Sequence, residues 1–360
     1  MSKNHFAIIM AGGIGSRFWP SSTPEFPKQF HDMAGKGISL LQSTFRRLES
    51  FIPYSNIFIV TQSRYHTIIL DQLGDKLSPN QVVCEPERRN TAPCILLASL
   101  KIKKINADAK IIICPSDHII VDKEPFEEDM KLALVHADEK KLITFGIRPD
   151  YPATGFGYLA IEKNHKNSSL KKVIRFTEKP DSATAQSFID AKNYFWNSGI
   201  FVWSATAVLE GFKTYTPILY DLFFKGVDHF NTESEQEFIA RNYPLAENIS
   251  VDYALMEKSN HIYLIPARFD WDDLGSWKSI YDRQSKDSSK NAVVNAKLFS
   301  DKSARNLIKT NSNKKVVISG LEGFIIVDTE EVLMICPMEK NQEVKDISVN
   351  ALRIFNKSED

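Results

Sequence analysis

At 360 residues, with 45 basic and 45 acidic side chains and no net charge, the chain can bury a full core but carries no bulk positive field for a nucleic-acid polymer. No apolar run approaches the roughly 18 residues of a membrane span, and the N-terminus enters a strand without a basic region and cleavage site, so a cytoplasmic address with neither nucleic-acid nor membrane partners is expected. Cys84, Cys94, Cys114 and Cys336 form no Cys-x-x-Cys pair and read as reduced core residues, and with no His-Glu-x-x-His any metal should be oxygen-ligated.

Phe6–Met10 is a short continuous apolar run of the kind a central parallel strand needs, and Ala11-Gly12-Gly13-Ile14-Gly15-Ser16-Arg17-Phe18-Trp19-Pro20 follows it directly. Glycines 12, 13 and 15 allow positive φ and close backbone approach, which frees N–H groups for an anion, and Arg17 and Lys28 can neutralise its charge. A Walker loop is excluded because no Gly-Lys-Ser/Thr follows. A dinucleotide fingerprint fails because Phe18 stands at its third glycine and Trp19-Pro20 would spoil the helix.

Strand-like runs Ile57–Thr61, Val82–Cys84, Ile111–Cys114 and Leu142–Phe145 alternate with amphipathic intervals such as Ala92–Ile105 and Phe126–Ala137, predicting a doubly wound sheet. Glu85 follows the third strand. Pro115-Ser116-Asp117-His118 follows the fourth, which puts Asp117 at the carboxyl edge expected for the glycine loop. Taken singly, an aspartate there is ordinarily a cap or turn residue. Further β segments are predicted at Gly157–Ile161, Val173–Phe176 and Gly199–Trp203, then a helical stretch over Ala205–Phe224. Asp270-Trp271-Asp272-Asp273-Leu274-Gly275-Ser276-Trp277 concentrates more acid than a turn requires. One or two carboxylates with phosphate oxygens suit magnesium.

From Asn291 the pattern changes to short strands, Ala292–Val294, Asn306–Lys309, Val316–Ile318, Phe324–Val327 and Val332–Ile335, ahead of a helix over Glu339–Phe355. No strict hexapeptide repeat is visible, so a meander and a short left-handed β-helix both remain open. The expected division is a catalytic domain over 1–285 and a small β-rich domain with a terminal helix over 286–360.

Nine segments in order make the chain resemble the mannose-1-phosphate guanylyltransferases of the sugar-nucleotidyltransferase family. They are Gly12–Pro20, Pro27-Lys28-Gln29-Phe30, Glu85–Pro93, Pro115–His118, Thr154-Gly155-Phe156-Gly157-Tyr158, Phe176-Thr177-Glu178-Lys179-Pro180, Asn197-Ser198-Gly199-Ile200-Phe201, Val251–Glu257 and Trp271–Trp277. The departures are Phe18 for a usual leucine, a 20–26 segment without its usual arginine, and Asp272 for a usual serine. The resemblance implies an α/β fold, a Rossmann-like doubly wound mixed sheet of the nucleotidyltransferase type. It also implies transfer of GMP from GTP to mannose 1-phosphate, giving GDP-mannose and pyrophosphate.

It further implies nucleotide contacts at Ala11, Gly12, Gly13, Gly15, Ser16, Arg17, Glu85, Asn90, Thr91 and Ala92, with Arg17 and Lys28 catalytic. The sugar phosphate would meet Lys28, Gly155, Gly157, Glu178, Lys179 and Asn197, and Asp117 and Asp273 would hold Mg2+. His118, Asp252 and Trp277 would support the site. Glu85 suits guanine, whose N1–H and amine are donors. A homodimer is expected, and since many relatives carry a further isomerase domain, a short single-activity form is expected too. A uridylyl- or thymidylyltransferase acting on glucose 1-phosphate and a non-catalytic sugar-nucleotide sensor are the rival readings.

Overall fold

The computed structural model describes residues 1–162 and 168–355. In chain order its elements are β1 (His5–Met10), α1 (Leu40–Glu49), β2 (Ile57–Gln62), α2 (His66–Leu73), β3 (Val82–Glu85), α3 (Thr91–Ile105), β4 (Lys110–Pro115), α4 (Lys123–His136), β5 (Leu142–Ile147), β6 (Tyr158–Ile161), β7 (Lys171–Thr177), α5 (Ser182–Ala191), β8 (Tyr194–Ser204), α6 (Ala205–Tyr215), α7 (Pro217–Phe224), α8 (Glu235–Asn242) and β9 (Ile262–Pro266). After these come α9 (Trp277–Arg283), β10 (Ala292–Asp301), β11 (Leu307–Ser319), β12 (Phe324–Asp328), β13 (Leu333–Pro337) and α10 (Val344–Phe355). The helical stretch expected over Ala205–Phe224 is two helices, because Pro217 lacks the N–H that would continue the first. Asn306–Lys309 and Val316–Ile318 belong to one long strand, β11. The terminal helix starts at Val344, after a short 3-10 turn over Met338–Lys340.

The residues fall into two compact units, one made of Met1–Gly12, Thr44–Ser116 and Ile120–Trp271, the other of Gly13–Ser43, Asp117–Ile119 and Asp272–Asp360. This division is discontinuous and differs from the linear one at 285/286. Its cause lies in a shared apolar core of the second unit, which joins Phe18, Trp19, Met33 and Leu40 to Leu274, Trp277 and Ile280 and to Ala292, Val294, Leu307, Ile325 and Val327 of the β module.

The first unit holds a nine-stranded sheet in the order β3-β2-β1-β4-β8-β5-β9-β7-β6. Pairs β1–β2, β1–β4, β2–β3 and β5–β9 are parallel, whereas β8 runs antiparallel to both β4 and β5, so the sheet is mixed. Central strands read as unbroken apolar runs because both faces are covered: Ala7, Ile8 and Ile9 of β1 and Ile111, Ile112 and Ile113 of β4 have no exposed surface. Helix α3 packs on α6 and α7, and its residues Ala92–Ile102 are all buried.

The second unit carries a sheet in the order β10-β11-β12-β13, with the first two pairings parallel. The parallel strands stack as successive turns of a coil, and a buried asparagine ladder holds them. Asn306 donates to the side-chain carbonyl of Asn291 at 3.0 Å and accepts from the Phe324 amide at 2.8 Å. Both asparagines are fully buried, where an unpaired amide would be costly, so the ladder fixes the stacking register. Its spacing of 15 residues is invisible to a search for hexapeptides. All four cysteines are free and buried, and no helix of the described residues is long and apolar enough to cross a membrane.

Candidate active site

In the second unit the glycine loop leads into a 3-10 turn, Ser16–Phe18, after Gly15 at φ 66°. A Cβ at Gly15 would lie 2.5 Å from that of Lys28, so the position requires glycine for both conformation and space. The amides of Gly13, Ile14, Gly15, Ser16 and Arg17 meet no acceptor among the described residues, and the Arg17 side chain is exposed with no ion pair there. Successive free amides beside a cation form an anion-binding concavity. The loop is anchored from one side by Trp277, whose indole N–H donates to the Trp19 carbonyl at 3.1 Å and whose ring meets Phe18 edge-on at 5.1 Å.

Lys28 is almost wholly buried. Its ammonium makes three contacts, with an Asp117 carboxylate oxygen at 2.8 Å and the carbonyls of Asp273 and Leu274 at 3.1 and 3.0 Å. The side chain expected to reach phosphate freely is therefore fully engaged, and it could contact an anion only by giving up a partner. Lys28 holds the Asp117 carboxyl below its ordinary value despite the opposing effect of burial. Asp273 behaves oppositely: burial, with the charges of Asp272 and Asp117 added, pushes it up to about 6 against the pull of Lys28. Asp272 itself accepts from the Leu274 amide and from Arg283, and so holds the turn.

These groups line one cavity of about 430 Å³: Gly15, Ser16, Arg17, Phe18, Lys28, Asp117, His118, Asp273, Leu274, Gly275 and Lys345. Two carboxylates, one of them short of compensating charge, are hard oxygen donors in an open polar cavity. That donor set fits a magnesium ion, which takes few protein ligands and keeps phosphate and water oxygens. No group of three or more His, Cys, Asp or Glu side chains among the described residues is placed to hold a metal, so a cation here would depend on this pair.

In the first unit, Glu85 ends β3 and is 6% exposed. Its Oε1 accepts from the Tyr243 hydroxyl, and its Oε2 lies 3.7 Å from where a Cβ on Gly12 would stand. Burial pushes this carboxyl up to about 7, while the Tyr243 bond and the Arg88 charge act downward. Arg88 in turn donates to the Gly12 carbonyl at 2.8 Å. Sequence reasoning missed Tyr243 and Arg88. Arg88 lay inside a quoted motif, but Tyr243-Pro244 carried no signal beyond a turn.

The neighbouring expected contacts are largely engaged in structure. Ala11 donates to the Val60 carbonyl at 2.8 Å and accepts from Thr61 at 2.9 Å. Asn90, at φ 64°, caps α3 by accepting from Thr91, while Thr91 accepts from the Val251 amide and Ala92 donates to the Ile249 carbonyl.

A third group, also in the first unit, surrounds Gly157, where a Cβ would lie 2.5 Å from Glu178 Oε2 and 2.9 Å from Phe176. Glu178 pairs with Lys179 at 2.9 Å, so Lys179 is held by its neighbour. Asn197 accepts from Thr144 at 2.9 Å and donates to Asp252 at 3.0 Å. Asp252 is pushed up to about 7 by burial and by Glu178, and it fixes the Asn197 amide. Gly155 is exposed with open space around it, and nothing in the structure requires glycine there.

Comparison with known proteins places the chain in a family. The family model described as nucleotidyl transferase matches residues 6–290, and that described as the MannoseP isomerase/GMP-like beta-helix domain matches residues 302–352. A mannose-1-phosphate guanylyltransferase of Salmonella muenchen is 33% identical over 98% of this chain and 74% of its own. The alginate biosynthesis protein AlgA of Pseudomonas aeruginosa is 32% identical over 94% and 70%. A crystal structure from Thermus thermophilus, titled as a mannose-1-phosphate geranyltransferase, superposes with a TM-score of 0.87 at 25% identity, over 97% of this chain and 99% of that one.

Two of the three loop glycines separate conformation from mere flexibility. Gly15→Ala should destabilise the fold by about 1–2 kcal/mol or more, the left-handed penalty plus the clash with Lys28, whereas Gly13→Ala, in open space, should be near neutral. Denaturant midpoints of the two variants check this, and equal midpoints would remove the requirement for glycine at 15.

Proposed function

Since the chain belongs to the nucleotidyl transferase family, we propose that it transfers GMP from GTP to α-D-mannose 1-phosphate, forming GDP-mannose and releasing pyrophosphate. The observation that most supports this reading is the cavity at Gly15–Phe18, with its free amides, its cations and two carboxylates. Nucleotidyl transfer asks for positioning and charge neutralisation rather than covalent chemistry.

In the proposed reaction a phosphate oxygen of mannose 1-phosphate attacks the α-phosphorus of GTP in line, forming a new P–O bond as the α–β bridging P–O bond breaks and pyrophosphate leaves. The loop amides and Arg17 receive the triphosphate. Lys28 keeps Asp117 ionised and Asp273 in place, so its catalytic contribution runs through the carboxylates it holds. Bound magnesium, held by Asp117 and Asp273, would shield phosphate charge. Glu85, oriented by Tyr243, accepts from the guanine N1–H and amine. Glu178 and Asn197 bind the sugar hydroxyls, Asn197 in the orientation set by Asp252 and Thr144.

We also propose a homodimer, for which the β module offers exposed apolar side chains, Phe299 beside Val317 in strand register. Light scattering should then read twice the 40.9 kDa chain mass, and a monomer would refute it.

Two further measurements test the chemistry. Asp117→Asn and Asp273→Asn should each lower turnover by more than roughly a hundredfold, and the double variant should be little worse than the worse single, as for one catalytic device. Near-wild-type rates in Asp273→Asn across a magnesium titration would take that residue out of the site.

The base contact needs an ionised acceptor, and Glu85 ionises at about 7, so kcat/KM for GTP should rise from pH 6 to 8. Glu85→Gln should lose that limb and discriminate less between GTP and UTP, since a polar site rejects an analogue by leaving groups unpaired. An unchanged pH profile and unchanged base selectivity in that variant would refute the assignment.

A further inference from the structure

We infer that Lys345, at the start of the terminal helix α10, is a phosphate-binding residue that completes the nucleotide's pyrophosphate pocket from the C-terminal module. The inference rests on reading the Gly15–Phe18 cavity as the phosphate site, and it adds a residue and a chain segment to that site.

Charge balance across the lining supports it first. Among the other lining residues Arg17 and Lys28 oppose Asp117 and Asp273, and Lys28 is tied to Asp117 at 2.8 Å. Without a further cation the cavity would be neutral on balance, a poor receptor for a polyphosphate. Lys345 tips it positive. Its ammonium makes no ion pair or hydrogen bond among the described residues, as is also true of Arg17, so both are available to an incoming anion.

The placement of Lys345 follows from packing. Val344 has no exposed surface and joins the core of Phe18, Trp19 and Trp277, with Ile347 and Ala351 packed against it on the same helix face. Helix α10 consequently lies against the 3-10 turn Ser16–Phe18, whose Ser16 and Arg17 amides face no acceptor among the described residues. With Val344 buried in the core, the next side chain is carried to the cavity wall. A flexible four-carbon stem bearing a point charge suits a phosphate group whose position shifts as a bond breaks.

The test uses the full chain and inorganic pyrophosphate in magnesium buffer, titrated by calorimetry, alongside GTP turnover with mannose 1-phosphate. Lys345→Ala should weaken pyrophosphate binding about tenfold, the scale of one charge-assisted contact, while Lys345→Arg keeps it within a few-fold. Lys340→Ala, which removes an equal charge from an exposed position on the same module, should leave it unchanged.

Pyrophosphate affinity in Lys345→Ala equal to that of the wild type, or lowered no more than in Lys340→Ala, would overturn the inference even if the wild type makes GDP-mannose. Lys345-dependent pyrophosphate binding in a protein that transfers no GMP would uphold it and sink the proposed function instead.

Discussion

The buried ammonium of Lys28 is the constraint on which the second unit depends. One side chain joins the segment after the glycine loop, the short piece at Asp117 and the turn at Asp273–Leu274, across as many as 246 residues of sequence. A buried charge costs several kcal/mol unless all its donors are met, so each segment must arrive in register for the knot to form. Two carbonyls fix where Asp273 turns, and the ion pair keeps Asp117 ionised. The Asp272–Arg283 bond and the Trp277–Trp19 bond brace the same turn and the same loop. The carboxylates that would receive a cation are therefore positioned before any ligand arrives.

The first unit solves a different problem with a similar device. Glu85 accepts from Tyr243 where water is scarce, and burial drives its carboxyl toward the neutral form. Tyr243 and Arg88 work against that drift and hold the carboxylate beside Gly12. Asp252 and Asn197 repeat the pattern: a half-buried acid orients a neighbouring amide. In both cases the group that would touch a ligand is fixed by a second one that would not.

Much of this was legible in the sequence because it is local. A glycine-rich stretch after an apolar strand, an aspartate after another and an acid-rich turn between tryptophans each announce themselves within ten residues. Long-range features were not. The antiparallel insertion of β8 into a parallel sheet follows from pairing partners far apart in the chain, which hydrophobic alternation does not encode. The asparagine ladder has a spacing no short repeat search detects, and Tyr243 lies in a segment that reads as a turn. Lys345 sits in an amphipathic tail helix like any solvated lysine, and only the burial of its neighbour Val344 gives it a direction. The partners of Lys28 were equally hidden, since the carboxylate and carbonyls it meets lie 89 to 246 residues away.

The interleaving of the second unit bears on how the chain is made. Its core needs Phe18 and Trp19, Trp277 from 258 residues after Trp19, and Val344 from the first turn of α10. During synthesis Phe18 and Trp19 have no complete core to enter until α10 has been made. Vectorial folding can complete the large sheet once β9 has emerged, but the core beside the glycine loop closes only with α10, so a nascent chain interrupted between the two has the sheet without the full lining of the Gly15–Phe18 cavity.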